Sequence, residues 1–202
     1  LVTTAMGGNN LTVTNATDID GTVAVAASTL TLDGGSDVDG TITISTGTVD
    51  ANGAFDATGG FVTFTDAGNL NLFSTVTDLG TLSDNFGTVT YDGTDQVVFS
   101  DVYYNLRAGG GSGTKTLGGD VTVENDLTID TDVTIAMDTH DLTVTDITDI
   151  DGTLAIAGNT LTLDGTSDVD GTITISTGTV DANSAFDATN GTITFTDAGN
   201  LN

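Results

Sequence analysis

The sequence predicts an all-β fold, a parallel β-solenoid (β-helix), from three observations. Residues 1–71 return without a gap as residues 132–202, a period of 131 in which 54 of the 71 pairs are identical. Within that period a unit of about 19 residues recurs, as in Leu11–Val25 and Leu30–Ile44. Apolar residues alternate with Thr in these units, which is the period of two of a strand with one buried face. Units this short cannot close a core alone, so each must stack on its neighbours.

Each unit predicts two short strands with a polar turn between them. In Leu161–Ile175 a Leu-Thr-Leu strand and an Ile-Thr-Ile strand flank a segment rich in Asp and Gly. Gly favours turns because it adopts positive φ, and Asp favours them because its side chain bonds to nearby backbone. An antiparallel β-sandwich would show the same alternation. It would not require identity at a fixed shift of 19 residues, which stacked parallel rungs do require.

The repeats predict one continuous solenoid over residues 1–202. Eleven units begin between Leu11 and Leu201, so about 11 rungs are expected. At a strand spacing of ~4.8 Å this is a column roughly 50 Å long. We expect it to be right-handed, because parallel crossovers almost always are.

The charge of the chain restricts its partners. Asp and Glu number 29 against two basic residues, for a net charge of −27. Nucleic acid is an unsuitable partner because no basic surface could neutralise phosphates. The chain has no Cys, and no apolar stretch reaches the ~18 residues of a membrane-spanning helix, so membrane insertion is not expected. The sequence, which starts without Met, is interpreted as a segment of a longer polypeptide.

The chain resembles the parallel β-helix shafts of large secreted bacterial surface proteins, such as haemagglutinin-type and autotransporter adhesins. The resemblance lies in the 19-residue rungs, the absence of Cys and Pro, and the strands rich in Thr, Gly and Asp. The segment Gly109–Ile129 is similar to stretches common in such repetitive proteins. This resemblance of pattern covers nearly the whole chain. It implies an extracellular or cell-surface location more strongly than it implies a ligand.

The motif Asp-x-Asp-Gly occurs four times and is the candidate metal site. Stacked rungs would place Asp18 over Asp37, and Asp149 over Asp168. Two carboxylates ~5 Å apart repel by about 0.8 kcal/mol in water, which splayed side chains, bonds to turn amides or bound Ca²⁺ would relieve. The alternative is that these residues only form turns, since the motif is neither an EF-hand nor a Ca²⁺-binding nonapeptide roll. The candidate calcium ligands are Asp18, Asp20, Asp37, Asp39, Asp149, Asp151, Asp168 and Asp170.

Catalysis is not expected from this sequence. The acid pair is repeated four times, whereas a catalytic centre normally occurs once, and no nucleophile has a base near it in the sequence. The two basic residues, Arg107 and Lys115, are expected to offset local acidic charge, with Asp120 and Glu124 as the candidate partners. Residues 109–116 are glycine-rich, but Thr114 stands where a phosphate-binding loop needs Gly, so a turn is predicted there.

The remaining patterns concern Thr and the aromatic residues. Thr-x-Thr pairs such as Thr172/Thr174 could form an ice-binding face if they align across rungs, although β-propensity also explains them. Tyr103, beside Tyr104, could be a surface contact or part of a wider core. Seven Phe side chains are expected to fill the interior: Phe55, Phe64, Phe73, Phe86, Phe99, Phe186 and Phe195.

The function predicted from these features is structural. The chain is expected to form the body of an extracellular filament, fibre or sheath by stacking of rungs, with end-to-end self-association possible and no enzymatic activity. The alternative is an adhesin stalk that binds glycans or neighbouring surfaces. Ice binding and polysaccharide processing are minor alternatives. Ca²⁺ is the only cofactor expected.

Overall fold

The computed structural model describes residues 2–83 and 85–202, and these residues form 31 β-strands. The strands pair in parallel throughout the described residues, and none of those residues lies in a helix. Accordingly, the described part of the chain has no helix able to cross a membrane. The chain divides into two compact units, Leu1–Thr90 and Tyr91–Asn202. Each unit is a parallel β-solenoid, so the predicted fold class is confirmed.

In the first unit three successive strands make one turn, in place of the two predicted, because the Asp-rich segment expected to be a turn contains a short strand such as Ser36–Asp37. Each strand pairs with the strand three places along the chain. The strands are β1 (Thr3–Ala5), β2 (Leu11–Val13), β3 (Thr17–Asp18), β4 (Thr22–Val25), β5 (Thr29–Leu32), β6 (Ser36–Asp37), β7 (Thr41–Ile44), β8 (Thr48–Ala51), β9 (Phe55–Asp56), β10 (Phe61–Phe64), β11 (Asn69–Leu72), β12 (Val76–Asp78), β13 (Thr81–Ser83) and β14 (Thr88–Tyr91), which ends at the unit boundary. The three faces have the strand orders β1-β4-β7-β10-β13, β2-β5-β8-β11-β14 and β3-β6-β9-β12.

The second unit repeats this plan. Its strands are β15 (Gln96–Val98), β16 (Val102–Tyr103), β17 (Asn105–Ala108), β18 (Gly113–Leu117), β19 (Val121–Val123), β20 (Leu127–Ile129), β21 (Val133–Ala136), β22 (Leu142–Val144), β23 (Thr148–Ile150), β24 (Thr153–Ile156), β25 (Thr160–Leu163), β26 (Ser167–Val169), β27 (Thr172–Ile175), β28 (Thr179–Ala182), β29 (Phe186–Asp187), β30 (Thr192–Phe195) and β31 (Asn200–Leu201). Its faces are β15-β18-β21-β24-β27-β30, β16-β19-β22-β25-β28-β31 and β17-β20-β23-β26-β29.

The strand register reproduces the sequence repeat. Leu11 pairs with Leu30, and Leu161 pairs with Val180, so a shift of 19 residues is one turn. The described strands correspond to about ten turns, close to the eleven rungs expected. The handedness and the continuity of one solenoid from end to end stay predictions.

The core follows from the alternation of side chains along each strand. In the Thr-Ile-Thr-Ile strands β7 and β27 the Ile side chains are buried and the Thr side chains face outward. Burying each Ile or Leu contributes about 1.5–3 kcal/mol, and each is covered by an apolar residue of the next turn. Each unit therefore has a core that runs from turn to turn.

The prediction that all seven Phe side chains are interior is wrong for three of them. Phe55 and Phe64 are buried, whereas Phe73, Phe86 and Phe195 are exposed. Phe73 follows the end of β11, and Phe86 lies in a turn with a φ of 61°. The alternation of a strand does not extend into turns, so it does not determine where Phe73 and Phe86 point. Phe195 has another reason: it lies in β30, the outermost strand of its face, whereas its equivalent Phe64 is covered by strands on both sides. The other two, Phe99 and Phe186, are half-buried.

The glycine that ends each Asp-x-Asp-Gly motif is needed for close packing between turns. The expectation was that turn glycines serve positive φ, but Gly40 and Gly171 do not have it. A Cβ at Gly40 would overlap the carbonyl oxygen of Gly21, and one at Gly171 would overlap that of Gly152. Gly is therefore required because the backbone of the preceding turn occupies the space of a side chain.

This packing predicts that Gly171→Ala destabilises the protein. Forcing a Cβ against backbone separates two turns, and we expect a cost of about 2 kcal/mol or more in the free energy of unfolding. The measurement is urea unfolding followed by circular dichroism. Gly8→Ala is the control, because a Cβ at Gly8 meets nothing within 4 Å and the equivalent residue in the other repeat is Thr139. Equal losses in both variants would contradict this explanation.

Candidate functional site

The Asp-x-Asp-Gly motifs stack as the sequence predicts. Asp18 on β3 pairs with Asp37 on β6, and Asp149 on β23 pairs with Asp168 on β26. Parallel pairing holds neighbouring strands about 4.8 Å apart, so carboxylates of successive turns are placed side by side. The prediction of stacked acids is confirmed in both units.

The two files of acids are longer than the motif indicates. In the first unit Asp37 also pairs with Asp56, and a register shift brings Asp78 beside Asp56. In the second unit Asp187 pairs with Asp168. These three residues were missed because the motif is lost in their turns. The signal was present, since Phe55-Asp56 aligns with Ser36-Asp37 at the same shift of 19.

One acid in each file, Asp37 in the first and Asp149 in the second, has a raised pKa. The pKa of Asp37 is above its ordinary value through loss of hydration and through the charges of Asp39, Asp18 and other nearby acids. The pKa of Asp149 is raised for the same reasons: loss of hydration first, then the charges of Asp151 and Asp168. Both carboxylates therefore carry their charge at a cost to the folded state.

Other acids in the files are stabilised by the turns that follow them. Asp187 accepts hydrogen bonds from the backbone N (2.9 Å) and Oγ1 (2.5 Å) of Thr189, which lower its pKa. Asp56 accepts the same pair of bonds from Thr58, at 3.0 and 2.7 Å. Asp78 accepts one from the backbone N of Gly80 at 2.7 Å. These acids act as turn formers, which is the alternative interpretation of the Asp-rich turns.

The candidate calcium ligands are not gathered into a compact cluster. Within residues 2–83 and 85–202 no three His, Asp or Glu side chains converge closely enough to hold a metal ion. Asp170 is engaged with a neighbouring turn, since its Oδ1 accepts a hydrogen bond from Nδ2 of Asn190 at 3.1 Å. Calcium binding by the eight motif acids stays a prediction.

A second face of each unit carries Asn–Asp bonds between turns. Nδ2 of Asn71 donates to Asp50 at 2.7 Å, and Nδ2 of Asn183 donates to Asp164 at 2.8 Å. Each bond joins residues about one turn apart. The carboxylate thus has a hydrogen-bond donor beside it in the next turn, where the acidic files have a second carboxylate. These particular carboxylates are therefore stabilised without a basic residue.

The two basic residues do not pair with the acids that the sequence suggested. Arg107 forms an ion pair with Asp130, with Nη2 2.8 Å from Oδ2, in place of Asp120 or Glu124. Lys115 is fully buried, and its ammonium donates to the backbone carbonyls of Gly93 and Thr94. Burial lowers the pKa of Lys115, and Asp92 and Asp95 act in the opposite direction.

The glycine-rich segment before Lys115 packs against backbone. Gly110 and Gly113 have positive φ, and side chains there would overlap the carbonyl oxygens of Asp92 and Thr94. Since the Lys115 side chain points into the interior, its ammonium is not available to bind a phosphate at this segment. The turn predicted over residues 109–116 is confirmed at residues 110–112, which form bends, whereas it is wrong for residues 113–116, since Gly113–Leu117 is strand β18.

The Tyr103 side chain belongs to the core, the second of the two alternatives. Its hydroxyl lies 3.0 Å from that of buried Tyr91 and donates to the carbonyl of Phe99 at 2.6 Å. Burial raises the pKa of Tyr91 to about 12. The pair fills a polar part of the interior and is not a surface contact.

Comparisons with protein-family models, curated proteins and solved structures find no match to this chain. The basis for a functional proposal is therefore the fold, the acidic files and the ends of the stacked turns.

The pKa shifts predict opposite effects of two matched substitutions. Because the pKa of Asp149 is raised in the folded protein, this residue stabilises the fold fully only when the pH is below its ordinary pKa of 3.8. The contribution is lost as the pH rises through the folded pKa. Asp149→Asn should therefore raise the melting temperature at pH 7 by about 1–3 °C, and the gain should vanish near pH 3. The measurement is calorimetry at both pH values in EDTA, so that the repulsion is tested without a bound cation.

Asp187→Asn is the control of opposite sign. Because the pKa of Asp187 is lowered in the folded protein, this residue stabilises the fold when the pH is above its ordinary pKa of 3.8. The contribution is lost as the pH falls through the folded pKa. The melting temperature at pH 7 should drop in this variant. If both substitutions change the melting temperature in the same direction, the claim that Asp149 is destabilised and Asp187 stabilised by its surroundings is refuted.

Proposed function

We propose that this chain is a segment of an extracellular structural protein, and that it forms the body of a surface filament, fibre or sheath by stacking of solenoid turns. The parallel turns and largely apolar interior of each unit support a load-bearing role, because neighbouring turns within a unit are joined by backbone hydrogen bonds and core contacts. The resemblance to shafts of bacterial surface proteins supports the location.

The observation that carries this proposal is the state of the outermost turns. Leu11 is 40% exposed, whereas Leu142, the same residue of the repeat, is 0% exposed. Leu201 is 40% exposed and its equivalent Leu70 is 0% exposed. The same residues are thus core wherever another turn covers them. A further turn, from the same polypeptide or from a second copy, would bury them at a gain of about 1.5–3 kcal/mol each.

The geometry of such an extension favours a linear assembly. The two ends of a parallel stack are different surfaces, and head-to-tail contacts between different surfaces continue indefinitely unless they close into a ring. The sides carry most of the acidic residues, and like charges oppose lateral pairing of sheets. We propose that self-association is end to end. If the chain is instead an adhesin stalk, its partners would be glycans or neighbouring surfaces.

The test is electron microscopy and sedimentation velocity of the purified chain and of Leu201→Asp. We expect uniform fibres from the unaltered chain and shorter particles from the variant, because a charge at the exposed end opposes burial. Val97→Asp is the control, since Val97 is an exposed side chain on a lateral face. Isolated particles that are retained on glycan columns would support the adhesin stalk and contradict the filament.

We also propose that Ca²⁺ binds beside the stacked acids Asp18, Asp37, Asp149 and Asp168. Loss of hydration and repulsion by nearby acids raise the pKa of Asp37 and Asp149, and a hard cation with oxygen ligands would relieve the repulsion. Treatment with EDTA should then lower the melting temperature by about 5 °C or more, and millimolar Ca²⁺ should restore it. Asp168→Asn should weaken this response, whereas Asp197→Asn, outside the files, should not. An unchanged melt in EDTA would rule calcium out.

A further inference from the structure

The six-stranded face β15-β18-β21-β24-β27-β30 presents two files of small side chains in register across its turns. In the first file, strand pairing aligns five threonines: Thr114, Thr134, Thr153, Thr172 and Thr192. In the second file, two residues further along each strand, pairing aligns Thr116, Ala136, Ala155, Thr174 and Thr194. The two files therefore form a two-dimensional lattice of hydroxyl and methyl groups.

The hydroxyls of this lattice are free to bind something outside the protein. Among the described residues, the Thr side chains of both files form no hydrogen bond to another protein group. They are half-buried or exposed, so each hydroxyl faces solvent at a position held by the strand beneath it. This differs from the Asn–Asp bonds of the neighbouring faces, in which the polar groups bind one another.

The lattice is also uncharged, in a chain of net charge −27. Neither file contains an acidic residue from β18 to β30. A shallow depression lies where Ala136 and Ala155 replace Thr, and Asp138 is the one acid that lines it. The corresponding face of the first unit is less regular, because Phe61 interrupts its threonine file between Thr41 and Thr81.

The spacings of the lattice are set by backbone geometry. Neighbouring turns are about 4.8 Å apart, and residues two apart on one strand are about 6.6 Å apart. An ice surface is uncharged and periodic in two directions, with repeats comparable to these. Side chains that each present a hydroxyl and a methyl group can hydrogen-bond to water and pack into its open cages.

We infer that this threonine lattice of the second unit binds ordered water and, through it, the surface of ice. Five rungs held by one rigid sheet present their hydroxyls together, so each contact costs little additional conformational entropy. The absence of charge in both files matters, because a carboxylate would impose its own hydration shell. This inference is independent of the proposed structural role, since it uses a lateral face and not the ends.

The experiment is slow freezing of a dilute solution of the whole chain, with measurement of the fraction taken into ice and of thermal hysteresis. The test variant is Thr153→Tyr with Thr172→Tyr, which places two large rings on the lattice. We expect the unaltered protein to concentrate in the ice. The double variant should reduce that fraction roughly tenfold, with an unchanged melting temperature and circular dichroism spectrum.

The matched control is Thr143→Tyr with Thr162→Tyr. These two threonines pair with each other across one turn on the adjacent face, so the substitution and the spacing are the same. The control should keep full ice binding. The inference is overturned if the unaltered protein is excluded from ice like an unrelated acidic protein, or if both double variants lose binding equally. Retention on crystalline polysaccharide without any on ice would also overturn it, and would assign the face to a different solid.

Discussion

The parallel hydrogen-bond ladder between turns is the constraint on which the rest of this structure depends. It joins each strand to the strand one turn away, with a register equal to the repeat, as in the pairing of Leu11 with Leu30. Because the register follows the repeat, every side chain lies beside its own equivalent in the next turn. The ladder therefore turns a one-dimensional sequence repeat into files of like residues that run from turn to turn.

Placing like beside like has different consequences for different residues. Apolar files such as Leu142 beside Leu161 give a core in which each turn buries the next. Acidic files place carboxylates together, and the protein accommodates them with turn bonds like that of Asp187 to Thr189. Threonine files leave a lattice of hydroxyls on a surface without charge. The structural, calcium-binding and ice-binding proposals are thus three results of one geometric rule, applied to three residue types.

In the irregular turns between the two copies of the repeat, residues no longer lie beside residues of the same kind. Lys115 pairs in register with Gln96 and Ile135, yet it is the buried lysine of a chain with only two basic residues. Its ammonium donates to the carbonyls of Gly93 and Thr94, so backbone acceptors provide partners for this buried group. Such a group has no equivalent in neighbouring turns, and its surroundings come from segments that the repeat does not describe.

The sequence by itself determined the fold class, the turn length and the stacking of Asp18 on Asp37, because all three follow from strand periodicity and a fixed repeat. Only the tertiary structure decided that a register shift brings Asp78 into an acidic file, and that Arg107 binds Asp130. It also decided that Phe73 points outward. The physical reason is that turn residues lack the alternation of a strand, and their side chains point where the neighbouring turn leaves space. A periodic pattern predicts what repeats, whereas these contacts occur once.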